Sequence, residues 1–239
     1  MLSRIFKKKS WPEIDSRQSL EQTALKFGAL PFFRNNVKGF SVDEMAAPGM
    51  LFGGDEGYEG CWEWKGPVIQ EKTTIYGKFF RRKAGFISIE FLTDFLNYRR
   101  NAYPVKPESV DEMILEIIRE NDGMSSTELR KFILGSPGKK DFDEEGNEIK
   151  KPSRSSLEGP LQRLQMGGHL LISDFQYKYT KRGEKYGWGV ALYSTPELWL
   201  GQEIKTTVLS PEDSLERMAR EIAARVPGAS KKQLKALLK

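Results

Sequence analysis

The run Cys61-Trp62-Glu63-Trp64-Lys65-Gly66-Pro67 places one carboxylate between two tryptophans. A carboxyl group shut away from water by apolar rings is raised in pKa, which is how a general acid or base is tuned to neutral pH. Glu63 is therefore the candidate general base of this chain. The same Trp62 and Trp64 could instead stack on an unpaired base. The plainer alternative is packing: alternate residues of a short strand would send both tryptophans into a small core, with Glu63 outside or paired to Lys65. Other catalytic constellations are missing from the sequence. The single histidine, His169, sits beside Gly167-Gly168 at a strand start, where a structural role is expected. One histidine and one cysteine, Cys61, cannot build a zinc site of the usual kind, so no metal and no cofactor is expected. No G-x-S-x-G, phosphate-binding G-x-x-x-x-G-K-[ST] or post-strand G-x-G-x-x-G occurs.

A second set of side chains suits phosphates and base edges. Lys178, Lys181, Arg182 and Lys185 surround a Gly-containing turn, where they would sit on a phosphate backbone. Gln162, Arg163 and Gln165 lie just before, on a short helix from which amides and a guanidinium could reach into a groove. Arg81, Arg82 and Lys83 form another basic turn, with Lys78 nearby, that could grip the same duplex.

The elements that must position these groups are readable from periodicity and punctuation. Leu157, Leu161 and Leu164 line one side of a helix that Gly167-Gly168 stops. His169 to Lys178 then runs as a strand, Thr180 to Lys185 turns, and Gly187 to Ser194 runs back. The glycines of Tyr186-Gly187-Trp188-Gly189 mark close packing or a bulge in that hairpin. Four S-x-x-E/Q patterns, at Ser109-Glu112, Ser125-Glu128, Ser155-Glu158 and Ser230-Gln233, read as capping boxes at helix starts. Pro160 moves the regular start of the third helix toward Gly159. The first helix buries Val110, Ile114, Ile117 and Ile118; the second buries Leu129, Phe132 and Ile133. Residues 106–200 thus give helix, turn, helix, long polar loop 136–154, helix, strand, turn, strand, the order of a winged helix-turn-helix. A hairpin around Glu145-Gly146-Asn147 would fit in that loop.

Residues 1–105 read as a small aromatic-rich α+β unit, for which a winged-helix-like arrangement is one reading. Its parts are a helix from Ser16 to Phe27 ended by Gly28, an irregular stretch from Pro48 to Gly60, a strand from Thr73 to Phe80, a return at Gly85 to Ile87, and a helix from Ser88 to Arg100 with Phe91, Leu92, Phe95 and Tyr98 inward. Residues 201–239 form a helical tail, with Pro211 opening one helix and Ser230 capping a last one after Pro227-Gly228. The fold class is α+β.

Charge is uneven along the chain. The net charge is +5 overall, +5 over residues 1–107, −3 over 108–200 and +3 over 201–239. Inside the acidic middle, Lys150 to Gly187 holds eight basic residues and three acidic ones. A basic island on an acidic domain is the electrostatic footprint of a phosphate-facing element, although a solvated charged surface reads the same way. A single cysteine excludes an internal disulfide, no secretory signal follows the basic start, and no apolar run approaches a membrane span. The expected location is the cytoplasm.

Two segments, Tyr76 to Arg100 and Leu161 to Glu197 with its LLISDFQYKYT and YGWGVALYSTPE, resemble the AlkZ/YcaQ-type winged-helix DNA glycosylases, and more closely the shorter AlkZ-related group. The resemblance implies tandem winged helices and double-stranded DNA as partner. Glycosylases of that family hydrolyse the N-glycosidic bond of alkylated or cross-linked bases with a Gln-x-Gln or Gln-x-Asp pair. That pair matches Leu30-Pro31-Phe32-Phe33, which supplies Pro31 and Phe33 where an amide or acid should stand. The length leaves room for a helical tail, so a third winged helix and a β-barrel are not expected. The resulting expectation is a DNA-binding protein that recognises damaged duplex without the usual glycosylase chemistry. A divergent glycosylase and a protein-interaction module are the alternatives.

Overall fold

Ser16 caps the first helix with its hydroxyl, which accepts from the Ser19 amide at 3.2 Å while Ser19 answers on the Ser16 amide at 3.0 Å. That helix, α1 (Arg17–Phe27), ends at Gly28, whose φ of 80° turns the chain into the edge strand β1 (Ala29–Pro31). A computed structural model describes residues 11–53, 59–134, 157–183 and 185–239. A four-residue helix, α2 (Val42–Met45), and α3 (Cys61–Gln70) follow, then the hairpin β2 (Thr74–Phe80) and β3 (Lys83–Ser88). A 3-10 turn at Ile89–Phe91 leads into α4 (Leu92–Ala102). The three strands form an antiparallel sheet in the order β1-β3-β2. Pro31, which has no amide hydrogen to donate, is tolerated because β1 is an edge.

The second sheet is built from α5 (Val110–Glu120), β4 (Met124–Ser125), α6 (Ser126–Leu134), α7 (Glu158–Met166), β5 (Leu171–Tyr179), β6 (Lys185–Ser194) and the short α8 (Pro196–Leu200). Its antiparallel order is β4-β6-β5. The box read at Ser125 is present, with Ser125 and Glu128 bonded reciprocally, whereas at Ser109 only the cap forms: Ser109 accepts from the Glu112 amide, but the Glu112 carboxylate accepts from the Glu108 amide instead. Ser155, the loop 136–154 and its Glu145-Gly146-Asn147 hairpin lie outside the described residues. The helix after them begins at Glu158, one residue before Gly159, with Pro160 in its first turn. Ile114, Ile117, Ile118, Leu129 and Ile133 are buried as read, but Phe132 is 58% exposed. Leu129 and Ile133, four residues apart, take the inward stripe of α6, and Phe132 falls beside it.

Two helices close the chain, α9 (Pro211–Arg225) and α10 (Lys231–Leu238), the second opened by the Ser230-Gln233 box. They lie against the first unit. Asn97 donates to Ser214 at 2.9 Å, and Ser214 donates to the buried Asp94 at 3.0 Å. Arg99, fully buried, donates to the Phe79 carbonyl and, at 3.0 Å, to that of Lys239. One continuous apolar core runs from Ile14 to Leu238.

The two sheets meet through β2 and α3. Tyr76 packs edge-on against Phe175, 6.2 Å between centroids. Gln70 donates to the Ser173 carbonyl at 2.7 Å, and the Lys78 amide donates to Gln165 at 3.1 Å. The Lys78–Gln165 bond on one side and the Arg163–Asp111 pair on the other hold α7 between β2 and α5.

Candidate nucleic-acid interface

Cys61 to Pro67 is not a strand. Gly60 opens α3 and its amide donates to the Glu63 carboxylate at 3.1 Å, so Glu63 caps the helix it belongs to. Alternation of Trp62 and Trp64 mimics a strand, but on a helix residues two apart point about 200° away from each other. The carboxylate is therefore not pressed between two indoles. Trp64 packs against the core, while Trp62 turns to the side where Lys65 stands one turn later.

An aromatic cluster forms around Trp62. Phe32 and Phe33 contact it from the segment after β1, at 5.6 and 6.4 Å between centroids. Phe52 lies 5.8 Å away, and Trp188 of β6 meets it at 5.3 Å with the rings at 84°. Phe52 and Trp188 also touch each other at 6.4 Å. Beneath this surface Lys65, 2% exposed, holds its ammonium 3.9 Å from the Trp62 centroid and 4.3 Å from that of Phe175, and donates to the Trp62 carbonyl. Burial pulls this amine down from 10.5 to about 7; Glu63 opposes the shift and Lys185 adds to it. The two ring faces favour the charged form, by ~2 kcal/mol for a desolvated contact.

The β-hairpin reaches this cluster because it is bulged. Gln176 pairs with Val190 and Lys178 with Tyr186, so Tyr177 alone faces Gly187, Trp188 and Gly189. Gly187 takes a φ of 71°, and a Cβ on Gly189 would come within 2.8 Å of the Tyr177 ring. The two glycines let the strand kink and turn Trp188 toward α3. Lys185 folds inward as well, 3.6 Å over the Tyr177 ring and 3.3 Å from Glu59. Burial pushes the Tyr177 phenol up to about 12. Lys178, Lys181 and Arg182 are exposed and hold no ion pair among the described residues.

The other expected contacts fall elsewhere. Gln165 is 1% exposed, its oxygen taken by the Lys78 amide and its nitrogen by the Leu161 carbonyl, so it cannot face a groove. Arg163 forks onto Asp111 of α5 at 2.6 and 3.0 Å. Gln162 is half-buried. The turn Arg81-Arg82-Lys83 joins β2 to β3, with Arg81 bonded to the Ala236 carbonyl at 3.0 Å, the Arg82 amide near the Met166 sulfur, and Lys83 bonded to the Arg34 carbonyl. Lys78 and Arg82 meet Gln165 and Met166 through their amides, so this turn sits against the end of α7.

His169 bonds the Tyr103 carbonyl at 2.8 Å, and its burial lowers its pKa. Burial pushes the Cys61 thiol up to about 11. Among the described residues no three His, Cys, Asp or Glu side chains converge on a metal position, and no helix is long and apolar enough to cross a membrane. Phe52, Phe175 and the burial of Lys65 were not read from the sequence; the flanking glycines were the one local sign of the bulge at Trp188.

The family model described as AlkZ related matches residues 14–239. The chain belongs to the AlkZ-related family. The resemblance carried by Tyr76 to Arg100 and Leu161 to Glu197 is thus membership. No curated protein matches the chain. Among solved structures, this AlkZ-related chain is similar to the Streptomyces sahachiroi DNA glycosylase AlkZ, with 13% identity and a TM-score of 0.48. The match covers 94% of this chain and 59% of that one, so the AlkZ-related chain spans well under two thirds of that protein.

Proposed function

We propose that this AlkZ-related protein binds double-stranded DNA through the β5–β6 hairpin acting as the wing of a winged helix. The observation that carries the reading is the hairpin end, where Lys178, Lys181 and Arg182 stand exposed without acidic partners among the described residues. The order α5, β4, α6, α7, β5, β6 and the sheet order β4-β6-β5 support it, because that connectivity is the one a winged helix uses. Family membership supports DNA as the partner.

In this reading the wing, not α7, meets the duplex. Buried Gln165 and ion-paired Arg163 leave α7 little to offer base edges, so contact is chiefly with phosphates and recognition is of damaged or distorted shape. Base excision is not part of the function. At the positions matched to the family's water-holding pair, Pro31 has no polar side-chain atom and Phe33 packs on Trp62.

Fluorescence anisotropy with a labelled duplex over a salt series tests this. Replacing Lys178, Lys181 and Arg182 together by glutamate is expected to abolish most binding, and single alanines to lower the salt slope by about one each. Binding indifferent to both salt and charge reversal overturns the reading.

A further inference from the structure

Trp188 is 67% exposed and Phe52 54% exposed, side by side, in a chain whose other large aromatics are mostly buried. Solvent exposure of a tryptophan discards the apolar burial that a core position would gain. Here the exposure is arranged: two glycines and a register shift turn the backbone so that Trp188 leans on Trp62. Bulges of this kind re-aim a side chain next to functional sites.

Geometry narrows what the surface takes. Trp62 and Phe52 both meet Trp188 near right angles, at 84° and 81°, and no ring among the described residues lies parallel on it. The position of a stacked planar partner is open. The pleat of β5 puts Phe175, Tyr177 and Tyr179 on the same face as the cluster, and Tyr179 continues it, exposed, to the turn carrying Lys181 and Arg182. An aromatic track ending in exposed cations, without ion pairs among the described residues, matches a planar, uncharged ring tethered to an anionic backbone. That is the chemistry of an unpaired nucleobase and its phosphates.

We propose that Trp188, with Phe52 beside it, stacks an unpaired nucleobase of a DNA strand whose phosphates lie along Lys181 and Arg182. This rests on the DNA-binding reading above and names the feature of the DNA that is selected. A fully paired duplex would engage the cations alone, and a duplex with one unstacked base would engage both.

The test uses the full chain and two labelled duplexes of equal length, one fully paired and one with a single extra 2-aminopurine. Wild type is expected to prefer the bulged duplex by roughly tenfold, within the range that base–aromatic stacking supports, and to quench its 2-aminopurine fluorescence. Trp188→Ala is expected to lose the preference and the quenching while keeping its affinity for the paired duplex within about twofold; Trp188→Phe is expected to retain part of both. Thermal melting of each variant at the wild-type temperature checks the fold. Equal affinity of wild type for the two duplexes, or a preference that survives in Trp188→Ala, overturns the stacking proposal alone. Absence of binding to either duplex overturns the DNA-binding reading and the stacking with it.

Discussion

Lys65 holds its ammonium 3.9 Å over the ring of Trp62, three residues earlier in the same helix, and hydrogen-bonds that residue's own carbonyl. The pair pins the indole from behind while two of its other neighbours, the exposed Phe52 and Trp188, approach from solvent. A cation placed there has left water for two ring faces and one carbonyl. The consequence is a measurable dependence on pH.

The Lys65 pKa is about 7 in the fold against 10.5 ordinarily. Between those values the unfolded chain holds the extra proton, so the stability contributed by this group rises with pH from about 7 to about 10.5 and is flat below. Urea unfolding at pH 7 and pH 9 is expected to show wild type gaining about 2 kcal/mol relative to Lys65→Met, which lacks the titrating group. Parallel behaviour of the two proteins would disprove a depressed Lys65.

Arg99 links three elements: its guanidinium serves the Phe79 carbonyl of β2 and the Lys239 carbonyl from α4. Removing it leaves two acceptors without their donor. Arg99→Ala is expected to cost about 3 kcal/mol in denaturant unfolding. Arg99→Lys should rescue little, because one ammonium cannot reproduce the two-pronged fork.

Gln165 separates a structural from a recognition role for α7. Gln165→Ala opens the bonds to Lys78 and Leu161 inside the protein and is expected to lower stability by about 2 kcal/mol. Affinity for a duplex, measured where the variant is folded, should not move. A selective loss of affinity would return α7 to the DNA.

Arg81 and Arg82 both occupy the left-handed region, with φ of 49° and 68°, in the two-residue turn that favours Asn-Gly. Arg82 donates its backbone amide to the Met166 sulfur. Arg82→Gly is expected to raise stability by about 0.5 kcal/mol and to leave DNA affinity unchanged. Weakened binding would show that this turn is in contact as well.

Incubation with alkylated duplex is expected to yield no free base above the uncatalysed rate. Release that Glu63→Gln abolishes would establish Glu63 as more than the cap of α3.

Much of the frame was legible because its signals are local. Reciprocal serine–glutamate bonds at Ser125 and the turn at Arg81-Arg82 depend on residues within four positions of each other. The site was less legible for the opposite reason. Trp62 meets Trp188 across most of the chain, and no periodicity links them. Trp62-x-Trp64 imitates a strand, whereas the Glu63 cap on Gly60 and the Trp64 amide bond to the Gly60 carbonyl make it a helix. Gln165 looks solvent-facing until β2, eighty-seven residues away in sequence, covers it.

The wedged position of α7 has a mechanical consequence. Lys78 to Gln165 of α7, and Gln70 to Ser173 and Tyr76 to Phe175 of β5, stitch the halves together. With the halves joined in this way, thermal unfolding followed by tryptophan fluorescence and by circular dichroism is expected to give one coincident transition. In the proposed complex the hairpin would be presented on this joined frame, and the bending would fall to the DNA.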